Sequence, residues 1–252
     1  MSMERINSRK DPRLRRFRRL GREREYRAGT GEFLCDGEKL LTEALLNDAE
    51  VTSVLYREKR PGQPPANAEA YTAADEIFDF ASPLVNSPGP LFTVKMRTIS
   101  PEKTPERVMV LENVQDPGNV GTVLRTAAAL GTDLVVLTGD CADLYNPKTV
   151  RAAMGALFRQ PVAELPLAAL GSRLREWGLP LYGAALSPDS ADVRTVPLGR
   201  AAVAVGNEGG GLSGALLELC DKRIIIPMTP GSESLNAAVA AAVLMWEMAR
   251  ER

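Results

Sequence analysis

Apolar positions along the chain fall into short runs whose organisation changes near residue 100. Before that point, Leu40, Leu41, Ala44 and Leu45 recur at helical spacing within residues 37–46, and residues 51–56 read as a strand. The stretch 13–27 also has helical periodicity, with Leu14, Phe17 and Leu20 as its apolar stripe. Beyond residue 107, strands and helices alternate. Strands are predicted at 108–111, 134–137, 181–184, 201–205 and 223–226, with helices at 120–130, 147–158, 167–177 and 236–250. Single helices between strands imply a parallel sheet, whose ligand crevice lies beyond the carboxyl ends of the strands. The proline-rich stretch 57–68 is a surface loop, and 99–107 has the composition of a linker. The division expected is therefore 1–98, a linker 99–106, and 107–252.

At 252 residues the chain can bury one large core or two small ones, and 44% apolar with 25% charged residues is a globular composition. Residues 237–246, the longest apolar run, are too few to span a bilayer. The net charge of −1 conceals an asymmetry, since residues 1–28 carry +7 and the remainder −8. Arg13, Arg15, Arg16, Arg18 and Arg19 form a basic arm able to neutralise nucleic-acid phosphates, or else the solvated face of a helix. Glu4, Asp11, Glu23 and Glu25 argue against a mitochondrial presequence. The chain has no histidine, which excludes a Ser-His-Asp triad, a Cys-His pair and a His-ligated metal. Cys35, Cys141 and Cys220 are scattered, which fits a reducing cytoplasm better than a disulfide framework or a zinc site.

Three loops at the expected crevice are rich in Gly, Pro, Asn and Ser: 112–119 (ENVQDPGN), 206–213 (GNEGGGLS) and 227–236 (PMTPGSESLN). Gly209, Gly211 and Gly214 formally satisfy G-x-G-x-x-G, so a nicotinamide-dependent dehydrogenase is an alternative. Against it, the glycines follow a late strand, and the next strand ends in Ile226-Pro227-Met228-Thr229 without the acid that would hold a ribose.

Taken together, the three loops resemble the signature motifs of the SpoU family of S-adenosylmethionine-dependent RNA ribose 2'-O-methyltransferases. The first is Asn113-x-x-Asp116-Pro117-x-Asn119-x-Gly121-x-x-x-Arg125-Thr126-Ala127, the second Gly206-x-Glu208-x-x-Gly211-Leu212, and the third Ile226-Pro227-Met228 with Ser234-Leu235-Asn236. Asn146-Pro147-Lys148 with Arg151 and Gly155 resembles the family's central segment, and Phe33-Leu34 with Gly37-Glu38-Lys39 is similar to the L30e-like domain of rRNA-directed members. Pro230, where the family usually has glycine, and Ala153, where serine is common, depart from the pattern.

The resemblance implies an α/β fold with a carboxyl-terminal parallel-sheet SPOUT domain tied in a deep trefoil knot, plus a small L30e-like α/β domain, assembled as a homodimer in the cytoplasm. Knots are rare among folds, and only the resemblance implies this one. The alanine-rich stretch 237–242 suits close backbone packing in a knot or dimer seam, and equally an ordinary core helix. The substrate implied is RNA, ribosomal more than transfer RNA, with a non-catalytic RNA-binding protein of the same fold as a further alternative. Arg125, Asn119, Glu208, Ser234 and Asn236 are the implied catalytic set, and Gly206, Ile226, Met228 and Leu235 the implied cofactor pocket. Because a guanidinium rarely gives up its proton, Arg125 is read as a clamp on a phosphate and on the developing alkoxide. Asn119 reads as a positioning amide or as the N-cap of a helix from Val120, and Glu208 as an orienter of Arg125, a substrate contact or a solvated turn residue.

Overall fold

The computed structural model describes residues 3–229 and 234–250. Pro230 and its departure from the family pattern lie outside the described residues. In chain order the elements are β1 (Glu4–Ile6), α1 (Pro12–Leu20), α2 (Arg24–Thr30), β2 (Glu32–Asp36), α3 (Glu38–Leu46), β3 (Val51–Arg57), β4 (Glu69–Ala73), α4 (Asp75–Ala81) and β5 (Leu91–Lys95). They continue as β6 (Arg107–Glu112), α5 (Pro117–Leu130), β7 (Leu134–Thr138), α6 (Pro147–Ala153), β8 (Val162–Glu164), α7 (Leu167–Trp177), β9 (Leu181–Ala184), β10 (Ala191–Asp192), β11 (Ala201–Val205), α8 (Gly214–Leu219), β12 (Lys222–Ile225) and α9 (Ala237–Arg250).

These elements form two compact units. The first comprises Met1–Arg97 with Asp143–Phe158, and the second Thr98–Ala142 with Arg159–Arg252. The segment Asp143–Phe158, within the range 107–252 by sequence, thus packs with the first unit. Arg27 explains the attachment: its guanidinium, 4% exposed, pairs with Asp143 and donates to the Leu20 carbonyl at 2.9 Å. A buried guanidinium without its carboxylate is costly, so this pair fixes where the segment lies. The helix predicted over 147–158 stops at Ala153, because Met154 and Gly155 take left-handed backbone at φ 48° and 87°.

The first unit is a mixed sheet in the order β1-β4-β3-β5-β2, parallel at β1-β4-β3 and antiparallel at β5. Its core gathers Ile6, Leu14, Phe17, Leu20, Leu34, Leu55, Phe78 and Leu91. The apolar stripe of α1 is therefore core, as its periodicity predicts.

The second unit is a seven-stranded sheet in the order β10-β12-β9-β11-β6-β7-β8, parallel throughout. Its central strands are buried along their whole length, VMVL in β6, LVVLT in β7 and AAVAV in β11, as expected of a sheet covered on both faces. Val108, Val110, Val136, Ala202 and Ala204 meet Leu170, Leu174 and Leu216 of α7 and α8, while α9 packs along α5 and over β6 and β11. The short strands β1, β8 and β10 carry too few alternating positions to be seen in sequence. Among the described residues no helix is long and apolar enough to cross a membrane.

Candidate active site

The parallel sheet brings the carboxyl ends of β6, β11 and β12 to one edge, and the loops that follow them hold the predicted residues. The loop after β6 turns at Asn113, in left-handed backbone at φ 54°, and leads to Asp116. Asp116, not Asn119, caps α5: its Oδ1 accepts from the Asn119 amide at 2.8 Å, and Pro117 occupies the first helical position. The helix therefore starts three residues before the predicted Val120. That releases the Asn119 side chain for another task.

Asn119 Nδ2 donates to Glu208 Oε1 at 2.6 Å, and Asn119 Oδ1 accepts from Asn236 Nδ2 at 3.0 Å. Asn236 in turn caps α9, its Oδ1 accepting from the amides of Ala238 (3.0 Å) and Val239 (3.2 Å). A continuous hydrogen-bond chain thus runs from the amino end of α9 through two carboxamides to the Glu208 carboxylate. Each bond polarises the next, and the dipole of α9 points its positive end toward the carboxylate. Three residues separated by up to 117 positions are held in one constellation.

The glycine loop is fixed by groups that carry no motif glycine. Glu112, the last residue of β6 and only 3% exposed, accepts from Ser213 N (2.7 Å) and Ser213 Oγ (2.6 Å). Asn207 closes the loop on Gly211 through backbone bonds of 3.0 and 2.9 Å. Its Oδ1 accepts from Gly209 N at 2.8 Å, and its Nδ2 donates to the Asn113 carbonyl at 2.9 Å. Gly206 is obligatory, because a Cβ there would lie 2.1 Å from the Gly211 carbonyl carbon. Sequence reading did not single out Glu112 or Asn207. The available signal was an acid ending an apolar strand and a serine opening an apolar helix.

Arg125 is exposed on α5, two turns in, and makes no hydrogen bond or ion pair within the described residues. Glu208 is bonded to Asn119 and not to Arg125. Ile226 and Met228 are half-buried, while Ser234, Leu235 and Asn236 are exposed, Leu235 to 38%. Ile226, Met228 and Leu235 keep apolar side chains reachable from solvent, and such side chains suit a flat heterocycle, so these residues fit an adenosyl group. No group of three or more Cys, Asp or Glu side chains could hold a metal among the described residues. All three thiols are pushed above the ordinary range by burial: Cys35 and Cys141 upward, Cys220 to about 11. None is set up as a nucleophile.

The predicted RNA-contacting arginines divide by partner. Arg13 is held by Asp11 (2.8 Å) and Glu4 (2.6 Å), Arg16 pairs with Glu32, and Arg19 with Glu23 (2.8 Å). The Arg13 bonds hold the Asp11 carboxyl below its ordinary value. Among the described residues Arg15 and Arg18 have no carboxylate partner, and Arg18 lies over the Phe80 ring at 4.0 Å.

Residues 106–246 match the model of the SpoU rRNA Methylase family. The chain is 35% identical over 251 residues to a 23S rRNA (guanosine(2553)-2'-O)-methyltransferase, RlmP, of Bacillus subtilis, covering 98% of this chain and 99% of that protein. It is 30% identical to a 23S rRNA (uridine(2479)-2'-O)-methyltransferase of Streptomyces viridochromogenes, covering 98% and 92%. Among solved structures, the SpoU methyltransferase AviRb from Streptomyces viridochromogenes in complex with AdoMet superposes with a TM-score of 0.85 at 26% identity, covering 96% of this chain and 98% of that one. These matches do not favour a nicotinamide dehydrogenase. With its three signature loops at one sheet edge and a family match over residues 106–246, the chain belongs to the SpoU rRNA methylase family.

Proposed function

We propose that the protein transfers the methyl group of S-adenosylmethionine to a ribose 2'-hydroxyl of 23S ribosomal RNA. The observation that carries the reading is the chain Glu208–Asn119–Asn236, which gathers the family's three motifs at the carboxyl edge of the parallel sheet. S-adenosylmethionine supplies an electrophilic methyl on a sulfonium. The backbone around Gly206 with Ile226, Met228 and Leu235 holds it, Ser234 beside them.

The protein's own residues do the rest. A ribose hydroxyl is weakly acidic, and in the absence of histidine no imidazole can take its proton. Arg125, whose guanidinium has no partner among the described residues, holds an RNA phosphate and stabilises the alkoxide as it forms, so that the phosphate or water receives the proton. Asn119, fixed at both ends of its amide, orients the reacting ribose, and alignment is the larger part of the acceleration.

The finer architecture belongs to the same reading. A trefoil knot accounts for β12 sitting between β10 and β9, and for Asn236, just before α9, bonding to Asn119 in the first turn of α5. The first unit is an L30e-like module that selects RNA together with the basic arm. A homodimer covers the exposed stripe of α9, and the site of action is the cytoplasm. Mapping of 2'-O-methyl groups by mass in 23S rRNA and tRNA, from cells with and without the gene, tests the function. One 23S position should lose its methyl group; a loss confined to tRNA, or no loss, overturns the reading.

A further inference from the structure

Arg18 is unlike the paired arginines of α1. Its guanidinium stacks 4.0 Å over the Phe80 ring and donates to the Phe80 carbonyl at 2.5 Å, and Arg9 lies over the same ring at 5.4 Å. Arg22, just past the end of α1, is close enough for its charge to act on Arg18. Burial, followed by the charges of Arg22 and Arg9, pushes the Arg18 guanidinium below the ordinary arginine value.

Two guanidiniums, Arg9 and Arg18, thus share one half-buried aromatic ring, and Arg22 follows Arg18 one helical turn along the chain. Carboxylates on the neighbouring helix do not relieve them. Asp75 and Asp79 of α4 are engaged by Arg57 at 3.1 and 2.5 Å, and Glu76 makes no ion pair with any of the three. Arg13, Arg16 and Arg19 on the same helix each have an acid within the fold, which shows that α1 can be neutralised where the structure requires it. A guanidinium stacked on a ring, beside others with no carboxylate partner among the described residues, is what a phosphate-binding surface requires: the ring fixes the Arg18 fork in place, so little of its side-chain freedom is lost on binding. Carboxylate ligands would need one or two such forks; a polyphosphate strand uses several at once.

We propose that Arg9 and Arg18, gathered around Phe80, together with Arg22 one turn beyond Arg18, seat the phosphate backbone of the RNA substrate, while Arg13, Arg16 and Arg19 serve the fold. This narrows the basic arm to a defined site and rests on the rRNA reading above. The test is filter binding of the full-length protein to in vitro transcribed 23S rRNA across about 0.05 to 0.3 M salt. The variant R9Q/R18Q/R22Q is compared with K103Q/R175Q/K222Q, which removes the same charge from exposed positions of the second unit. Losing two to three phosphate contacts should lower the salt slope by about 2 to 3 and weaken binding at least about 30-fold at 0.1 M salt. The charge-matched control should change the slope by less than about 1.

The variant R9K/R18K/R22K keeps the charges at the same positions and should retain the slope, which separates charge from any disturbance of folding. S-adenosylmethionine binding, followed by calorimetry, should be equal in all variants. Equal slopes for the two glutamine variants overturn the site, even if methyl transfer to rRNA proceeds. A lowered slope in a protein that transfers no methyl group upholds the site and overturns the enzymatic reading instead.

Discussion

At the scale of single residues, the decisive contrast is between Asn119, which has a partner at each end of its amide, and Arg125, whose side chain has none among the described residues. A side chain fixed from both sides is a positioning group. One left exposed on a helix, within a motif that places it beside the crevice, is available to a substrate. Replacing Arg125 by Ala should therefore lower methyl transfer about 10²- to 10³-fold, the usual cost of removing one donor to a developing oxyanion. S-adenosylmethionine affinity should stay within a few-fold, since the Arg125 side chain makes no hydrogen bond to Gly206, Ile226, Met228 or Leu235; a variant with near-normal turnover would remove Arg125 from the mechanism. The thiols give a second residue-scale expectation. Cys220 at about 11 holds far less thiolate at pH 8 than an ordinary cysteine, and its greater intrinsic nucleophilicity only partly offsets this. Alkylation of Cys220 should be at least about tenfold slower than that of a free thiol at pH 8 and should accelerate as pH rises toward 11. Peptide mapping after timed alkylation reads both. The motif residues Asn119, Arg125, Glu208 and Asn236 were legible because their spacing is written along the chain. Glu112 was not, since its meaning depends on Ser213, 101 residues away, reaching the same strand end.

At the scale of elements, local rules located most strands and helices of the second unit, and the misses have physical causes. The start of α5 was misplaced because an apolar run marks where burial begins, whereas a helix begins where its amides find a cap, here Asp116 followed by Pro117. Asp116→Ala should cost about 1 kcal/mol in chemical unfolding. It should also reduce activity, because the cap sets the first turn that carries Asn119. Removing Glu112 acts on the glycine loop. Glu112→Ala strips both acceptors from Ser213 and empties a buried site, so a loss of about 2 to 3 kcal/mol is expected, with weaker S-adenosylmethionine binding. Ser213→Ala, which keeps the backbone bond at 2.7 Å, should cost less. Equal stability of the two variants would show that Glu112 does not hold the loop. The end of α6 was misplaced for another reason: Met154 is a non-glycine residue in left-handed backbone, a conformation that composition does not announce. The attachment of Asp143–Phe158 to the first unit was likewise invisible, since it depends on the buried pair of Arg27 and Asp143.

At the scale of the whole molecule, the stripe along α9 calls for a partner. Val239 is 49% exposed and Trp246 58%, seven residues apart and so on one helical face, with Ala242 and Val243 half-buried between them. The opposite face, Ala238, Ala241, Leu244, Met245 and Met248, is buried, so α9 is apolar nearly all round. A helix of that kind belongs to an interior, and in the proposed homodimer a second copy of the chain would supply one. In a two-fold dimer the same stripe is used by both subunits, so each substitution counts twice. Covering one large aromatic side chain is worth about 3 kcal/mol, and Trp246→Glu both forfeits that and places a charge in the seam. The expected penalty is about 6 kcal/mol per dimer, or about four orders of magnitude in the dissociation constant. Light scattering coupled to gel filtration should show the wild type at twice the chain mass and Trp246→Glu at the chain mass, with Leu219→Glu, on the exposed side of α8, left dimeric. Arg125 lies on α5, which packs along α9, so methyl transfer should fall with the dimer fraction as the protein is diluted. A monomeric variant that transfers methyl groups at the wild-type rate would show that each chain carries a complete site, and that the stripe on α9 serves assembly alone.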